Sequence, residues 1–231
     1  MLKVKDLEVK FNRLPVLSNV DFELAKGESL AVIGPNGSGK TTLLRALMRI
    51  IPFEGIVEWS SEAKIAYVPQ RIDLEKNLPL TIQDFLLSKI KLLRLGEQEL
   101  GRVLKLVNLP LTIVGQKLGL LSAGQFQRTT IAFALIGSPN VILFDEPTAE
   151  VDLPGEEQIY DTIHRLQDEQ QITLIIVSHD LSLVFRYATK VVCVNRQMLC
   201  YGEPKEILTT DQLHQLYGVR GFYHHDHLRN N

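Results

Sequence analysis

The sequence predicts an α/β fold: a mostly parallel sheet flanked by helices, a small antiparallel β region, and an inserted helical subdomain. Three observations predict it. Gly34-Pro35-Asn36-Gly37-Ser38-Gly39-Lys40-Thr41 matches G-x-x-x-x-G-K-S/T and lies between an apolar run (residues 29–33) and a run of helix formers from Thr42 that Pro52 is expected to stop. Residues 141–144 are an unbroken apolar run, and residues 173–177 nearly so, as in fully buried parallel strands. From Thr81 to Leu109 the apolar residues take up helical spacing.

The first elements read as strands. Apolar and polar residues alternate over 3–11 and 16–24, with a turn expected at Arg13-Leu14-Pro15. Phe11, just ahead of that turn, suits either a core position or stacking on a nucleobase. The antiparallel region is expected from these strands together with residues 56–68. In the glycine loop, Gly34, Gly37 and Gly39 let main-chain N–H groups close on phosphate oxygens, and the following helix adds free donors and partial positive charge. Lys40 supplies a point charge for the β- and γ-phosphates, and the Thr41 hydroxyl can ligate Mg²⁺. The run resembles the phosphate-binding loop of nucleotide hydrolases.

Residues 64–68 form another expected strand, followed by Pro69 and Gln70, whose amide oxygen can reach a metal ion or water. Thr81 with Asp84 resembles a capping box, and Phe85, Leu86, Leu87, Ile90, Leu92 and Leu93 form the apolar face of the helix it starts. Leu121-Ser122-Ala123-Gly124-Gln125 opens a second capped helix through its S-x-x-Q box; the same residues also suit a second anion site. The apolar run at 141–144 ends in Asp145-Glu146, where α/β sheets bind ligands. Asp145 suits a Mg²⁺ shell and Glu146 a base for an attacking water. The strand at 173–177 delivers Ser178-His179-Asp180, with His179 able to contact a γ-phosphate.

The chain has 231 residues, mixed charge and a net charge of −2, which disfavours nonspecific nucleic-acid binding. A charged N-terminus argues against a signal peptide, and no apolar run is long enough to cross a bilayer. Cys193 and Cys200 are expected on adjacent strands around Asn195-Arg196-Gln197, as small core residues rather than a disulfide.

Taken together, these residues resemble the ATP-binding subunit of ABC transporters over nearly the whole chain. The resemblance implies a P-loop NTPase (RecA-like) core over 1–79 and 138–217, a helical signature subdomain over 80–137, and a tail over 218–231. It assigns residues 34–41 to the Walker A loop with Thr42 beside it, and Gln70 to the Q-loop. It assigns residues 121–125 to the signature, 141–145 to Walker B with Glu146 catalytic, Asp152 to the D-loop, and His179 to the switch. Phe11 falls where an aromatic stacks on adenine. Two positions depart from the family's usual LSGGQ and SALD: Ala123 replaces a glycine, and Glu150 introduces a charge. The resemblance implies Mg-dependent ATP hydrolysis by a homodimer in which Ser122 of one copy acts on ATP held by Lys40 of the other. That homodimer would sit on a membrane permease at the cytoplasmic face of the inner membrane.

Residues 78–85 and the hairpin around Cys193 are most similar to the zinc/manganese importer branch. The expectation is therefore uptake of a divalent metal, with an extracytoplasmic metal-binding protein as indirect partner. The permease is expected in a groove between Gln70 and about Leu95, with Phe85 and Leu86 at its surface. His224, His225 and His227 form either a weak metal site or a solvated end. Import or export of another solute, action on ribosomes or DNA, and a regulator of negligible turnover are the other readings.

Overall fold

Two sheets organise the chain, and a computed structural model describes residues 1–72, 78–149 and 151–218. The strands β1 (Leu2–Phe11) and β2 (Leu14–Leu24) pair antiparallel. Their turn is Asn12-Arg13, both at positive φ, with Phe11 opposite Leu14. A two-residue turn of this hand follows the twist of the strands, so Leu14 and Pro15 enter β2 instead of forming the expected turn.

After β3 (Ser29–Ile33) and the phosphate-loop motif comes α1 (Lys40–Leu47). It stops at Met48 and Arg49, the latter at φ 58°, so Pro52 is not what ends it. Then β4 (Glu54–Trp59) joins β1, giving a three-stranded sheet ordered β2-β1-β4. By contrast, β5 (Ile65–Val68) leaves the antiparallel region and pairs parallel with β6 (Val141–Asp145). The expected antiparallel stretch at 56–68 is thus divided between the two sheets.

Helices α2 (Ile82–Leu92), α3 (Gln98–Leu106) and α4 (Ala123–Leu135) fill the interval between β5 and β6. Reciprocal capping boxes start two of them, Thr81 with Asp84 and Ser122 with Gln125. Each satisfies main-chain donors that a helix start leaves free. On α2, Leu86 and Ile90 face the core, whereas Leu92 is 79% exposed and Leu93 is also exposed. The expected apolar face is therefore narrower than its composition, and Leu86 is no surface residue. Phe85 stacks on Phe133 of α4 at 4.3 Å between ring centres.

The remaining elements are α5 (Leu153–Gln170), β7 (Thr173–Val177), α6 (Leu181–Tyr187), β8 (Lys190–Val194), β9 (Met198–Gly202), α7 (Pro204–Ile207) and α8 (Thr210–Tyr217). The larger sheet runs β5-β6-β7-β3-β8-β9, parallel except for β9. Cys193 lies directly opposite Cys200, with Cα atoms 4.9 Å apart, and the two are joined as a disulfide. The expectation of two unpaired thiols is corrected here, because a directly opposed antiparallel pair has the separation a disulfide needs.

Three apolar clusters hold the layers. One packs α2–α5 on the sheet through Leu86, Ile131, Phe144 and Ile163. A second seats α1 and the antiparallel sheet on the opposite face through Leu17, Leu43, Leu143 and Val177. The third places α7 and α8 against β3 and β8. Full burial of each such side chain contributes about 1.5–3 kcal/mol. The result is a rigid sheet with the carboxyl ends of β3, β6 and β7 side by side.

Candidate active site

The parallel register decides what meets at that edge. Asp145 pairs with Val177, and Val177 with Val32, so the ends of three strands lie level. The phosphate loop leaves β3, Asp145 closes β6, and His179 follows β7 by two residues. Gln70 follows β5, whose Val68 pairs with Phe144.

The loop is built to stay open around an anion. At Gly34, φ is 153° and a Cβ would lie 2.0 Å from the Val194 carbonyl oxygen, so no larger residue fits against β8. Gly39, at φ 106°, turns the chain into α1 while packing on Val16 and Leu17 of the first hairpin. That helix has neither a side-chain cap nor an acidic residue in its first turn, leaving its leading N–H groups for a ligand. Ser38 Oγ is buried with no hydrogen-bond partner among the described residues, an arrangement that fits an incoming oxygen ligand. Pro35, Asn36 and Gly37 form the outer rim of the loop, with Asn36 and Gly37 exposed. Thr42 lies in the first turn of α1.

Lys40 is only 5% exposed, and its Nζ donates to the carbonyl oxygens of Gly34 at 3.0 Å and Pro35 at 3.1 Å. Burial pushes its ammonium below the usual lysine range, against the opposing charges of Glu146 and Asp145. Asp145 is 3% exposed. The Thr41 hydroxyl donates to its Oδ1 at 3.1 Å, and the Tyr67 hydroxyl donates to its Oδ2 at 3.1 Å. Burial nevertheless raises the Asp145 carboxyl above the usual range, those two hydrogen bonds opposing it. An oxygen-rich pair such as Thr41 and Asp145 is the donor set Mg²⁺ prefers, with a phosphate and waters completing it.

Glu146 sits at φ 49°, an uncommon conformation for a side chain of its size. Its Oε2 accepts from Gln70 Nε2 at 2.8 Å, its Oε1 lies 2.7 Å from His179 Nε2, and Lys40 Nζ is 3.9 Å away. Which of the two donates depends on the tautomer of His179; a proton on Nε2 would be donated to the carboxylate oxygen. A cavity of about 180 Å³ lined by Glu146, Thr148, Glu156, Tyr160, Ser178 and His179 adjoins the carboxylate.

Lys40, Thr41, Asp145, Glu146, Gln70 and His179 are therefore brought together. Phe11 is not part of that cluster: it is 46% exposed on the hairpin whose other strand packs against Gly39. Ser122, Ala123 and Gly124 lie elsewhere, lining a cleft of about 390 Å³ with Arg128, Asp152 and Gly155. Ala123 is the first residue of α4 and is exposed among the described residues. The cap holds Leu121 and Gln125 beside that cleft, with Ser122 N donating to Gln125 Oε1 at 3.1 Å. Glu150, His224, His225 and His227 lie outside the described residues. Reading the sequence missed Tyr67; its place three residues before Gln70 is a signal, but only strand register shows that it reaches Asp145.

A family model described as ABC transporter matches residues 17–149. The zinc import ATP-binding protein ZnuC of Paracoccus denitrificans is 39% identical over 206 residues, covering 89% of this chain and 80% of that protein. A metal transport system ATP-binding protein of Thermotoga maritima is 34% identical, covering 98% of this chain and 96% of its own length. Among solved structures, a metal-chelate type ABC transporter in an inward-facing conformation superposes with a TM-score of 0.83 at 28% identity, covering 93% of this chain and 87% of that one. The ATP-binding cassette MJ0796, solved as a dimer, has a TM-score of 0.74 at 26% identity, covering 88% of this chain and 99% of that one. With the loop, the carboxylate pair and the histidine gathered at one sheet edge as well, this chain belongs to the ABC transporter family as one of its ATPases.

Proposed function

We propose that this chain powers import of a divalent metal ion, zinc foremost, by hydrolysing ATP beneath a membrane permease. The observation that carries the hydrolytic part is Glu146, held between Gln70, His179 and Lys40 at the mouth of the phosphate loop. In this reading the loop amides, Lys40 and Ser38 receive the triphosphate, Phe11 stacks on the adenine, and Thr41, Asp145 and Gln70 face the metal. Bound Mg²⁺ would neutralise phosphate charge and orient the γ-phosphoryl group. Glu146 exchanges one of its present hydrogen bonds for a water and takes its proton, while His179 holds the γ-phosphate side.

The separation of the Ser122–Asp152 cleft from Lys40 supports a pair of chains arranged head to tail. Each copy then lends Ser122 and Gly124 to the other's ATP, the closed symmetry most homodimers adopt. The chain acts as one ATP-binding domain, with residues 80–137 as its helical signature part and 218–231 as a histidine-containing tail. It sits peripherally on the cytoplasmic face, where a permease contacts the segment between Gln70 and about Leu95. Among the described residues no helix is long and apolar enough to cross a membrane, in keeping with a separate permease. The metal assignment is supported by the named functions of the ZnuC relatives.

The test is growth of a strain lacking this chain under metal limitation. The expected result is a growth defect that added zinc relieves, that the wild-type gene rescues and that the Glu146→Gln gene does not. Relief by manganese or iron alone reassigns the metal, and rescue by the Glu146→Gln gene removes Glu146 as the catalytic base. The tail histidines His224, His225 and His227 are proposed as a weak cytosolic metal sensor. Truncation at Gly221 should then abolish the effect of zinc on the ATPase rate; an unchanged response discards the sensor.

A further inference from the structure

We propose that Tyr67 is a positioning residue for the metal–nucleotide site. Its hydroxyl anchors one oxygen of Asp145 and thereby keeps the other, beside Thr41, aimed at the cation. This rests on the reading above, in which Thr41 and Asp145 take Mg²⁺ with ATP.

The contact follows from register. Tyr67 pairs with Leu143 in the parallel ladder, so its side chain leaves the same face as Asp145, two residues further along β6. Two residues along a strand span about 6.6 Å, close to the reach of a phenol oxygen from its own Cα. The ring is half-buried and packs on the cluster beneath the sheet, which fixes its direction. The hydroxyl proton is donated to Asp145 Oδ2 at 3.1 Å.

The two oxygens of Asp145 are thus held by different means. Oδ1 accepts from Thr41 at 3.1 Å, on the side of the phosphate loop. Thr41 and Asp145 Oδ1 would hold a cation there, and the lone pairs they supplied to it would no longer be free for the hydrogen bond that joins them now. Among the described residues the other partner of the Asp145 side chain is Tyr67, and its bond lies on the oxygen the cation does not need. Tyr67 is therefore the hydrogen bond that persists through metal binding and stops the carboxylate from turning about its own axis. Partners of this outer kind orient ligands, and losing one typically costs about ten- to a hundredfold in metal affinity.

The experiment titrates a fluorescent ATP analogue into the full-length protein, once in EDTA and once in Mg²⁺. Wild type, Tyr67→Phe and Asp145→Asn are compared, each with its thermal melting curve. Tyr67→Phe is expected to bind the analogue as wild type does in EDTA, and to lose about tenfold of the gain in affinity that Mg²⁺ confers. An undiminished or larger gain overturns the proposal. Equal losses in both arms, or a collapsed melting transition, assign Tyr67 to the fold and overturn it too. Asp145→Asn separates the two levels. If it keeps the full gain, Asp145 is not the metal-facing carboxylate and the parent reading fails. If it loses the gain while Tyr67→Phe keeps it, only the role of Tyr67 is discarded.

Discussion

His179 Nε2 lies 2.7 Å from Glu146 Oε1, although 33 residues separate the two along the chain. The contact ties the residue after β7 to the residue after β6 and holds a carboxylate at the loop mouth in an otherwise disfavoured backbone conformation. Replacing Glu146 by Gln keeps the size and the hydrogen bonding but removes the basic charge. Turnover should fall by about a hundred- to ten-thousandfold, the usual worth of a general base. ATP binding should remain, and with ATP the variant should elute as a dimer. Steady-state ATPase assays and size-exclusion chromatography check this; undiminished turnover removes Glu146 as the base.

A methyl group at Gly34 would meet the Val194 carbonyl oxygen at 2.0 Å, in a backbone conformation that L residues rarely adopt. Gly34→Ala should therefore destabilise the nucleotide-free protein by about 2 kcal/mol or more and also weaken ATP binding. Thermal melting with and without nucleotide measures both. An unchanged midpoint would mean that β8 does not brace the loop as described.

Glu99 links α3 to the end of α4. It accepts from Arg102 through both oxygens, at 2.6 and 2.7 Å, and from Gly137 N at 3.1 Å, while Arg102 also donates to the Leu135 carbonyl. These hydrogen bonds, chiefly that from Arg102, hold the Glu99 carboxyl below the usual glutamate range of 4.5. For a depressed carboxylate, the stabilisation is complete above the unfolded value and is lost as pH falls through the folded one. Arg102→Met should cost about 1 kcal/mol near neutrality, the pair being partly exposed and screened by solvent. The deficit relative to wild type should shrink as the solution is acidified below 4.5. Urea unfolding at several pH values tests it, and a pH-independent deficit would assign the effect to packing instead.

Leu86 is fully buried whereas Leu92, on the same helix, is 79% exposed. Leu86→Asp should unfold the helical part, costing more than about 3 kcal/mol through an unpaired buried charge. Leu92→Asp should stay within about 0.5 kcal/mol of wild type, as surface changes do. Only the second can report on permease contact. Transport that falls while the ATPase rate and melting midpoint hold would support a docking face there; normal transport would move that face elsewhere along the segment.

Much of the site was legible because its motifs are local. A glycine loop between a strand and a helix, two capping boxes, and a carboxylate pair after four apolar residues each depend on neighbours a few positions away. Where the reading missed, the deciding contact was distant. Leu14 and Pro15 look like turn residues until the pairing of Phe11 with Leu14 puts the turn at Asn12-Arg13. Residues 65–68 look like a continuation of the antiparallel region until β6 claims them as a parallel neighbour. Leu92 and Leu93 continue the apolar spacing of α2 and yet stay exposed, which only the packed structure shows.

By itself, then, the order of residues determined the chemistry available: bare amides and one ammonium for polyphosphate, oxygen ligands for a hard cation, a carboxylate and an imidazole for water. Tertiary structure alone decided which of these meet. It set Glu146 between Gln70 and His179, put the Tyr67 hydroxyl on Asp145, joined Cys193 to Cys200, and left Ser122 apart from Lys40. The reason is that caps, turns and periodicity are settled within a few residues, whereas strand order and register come from burying whole faces against one another.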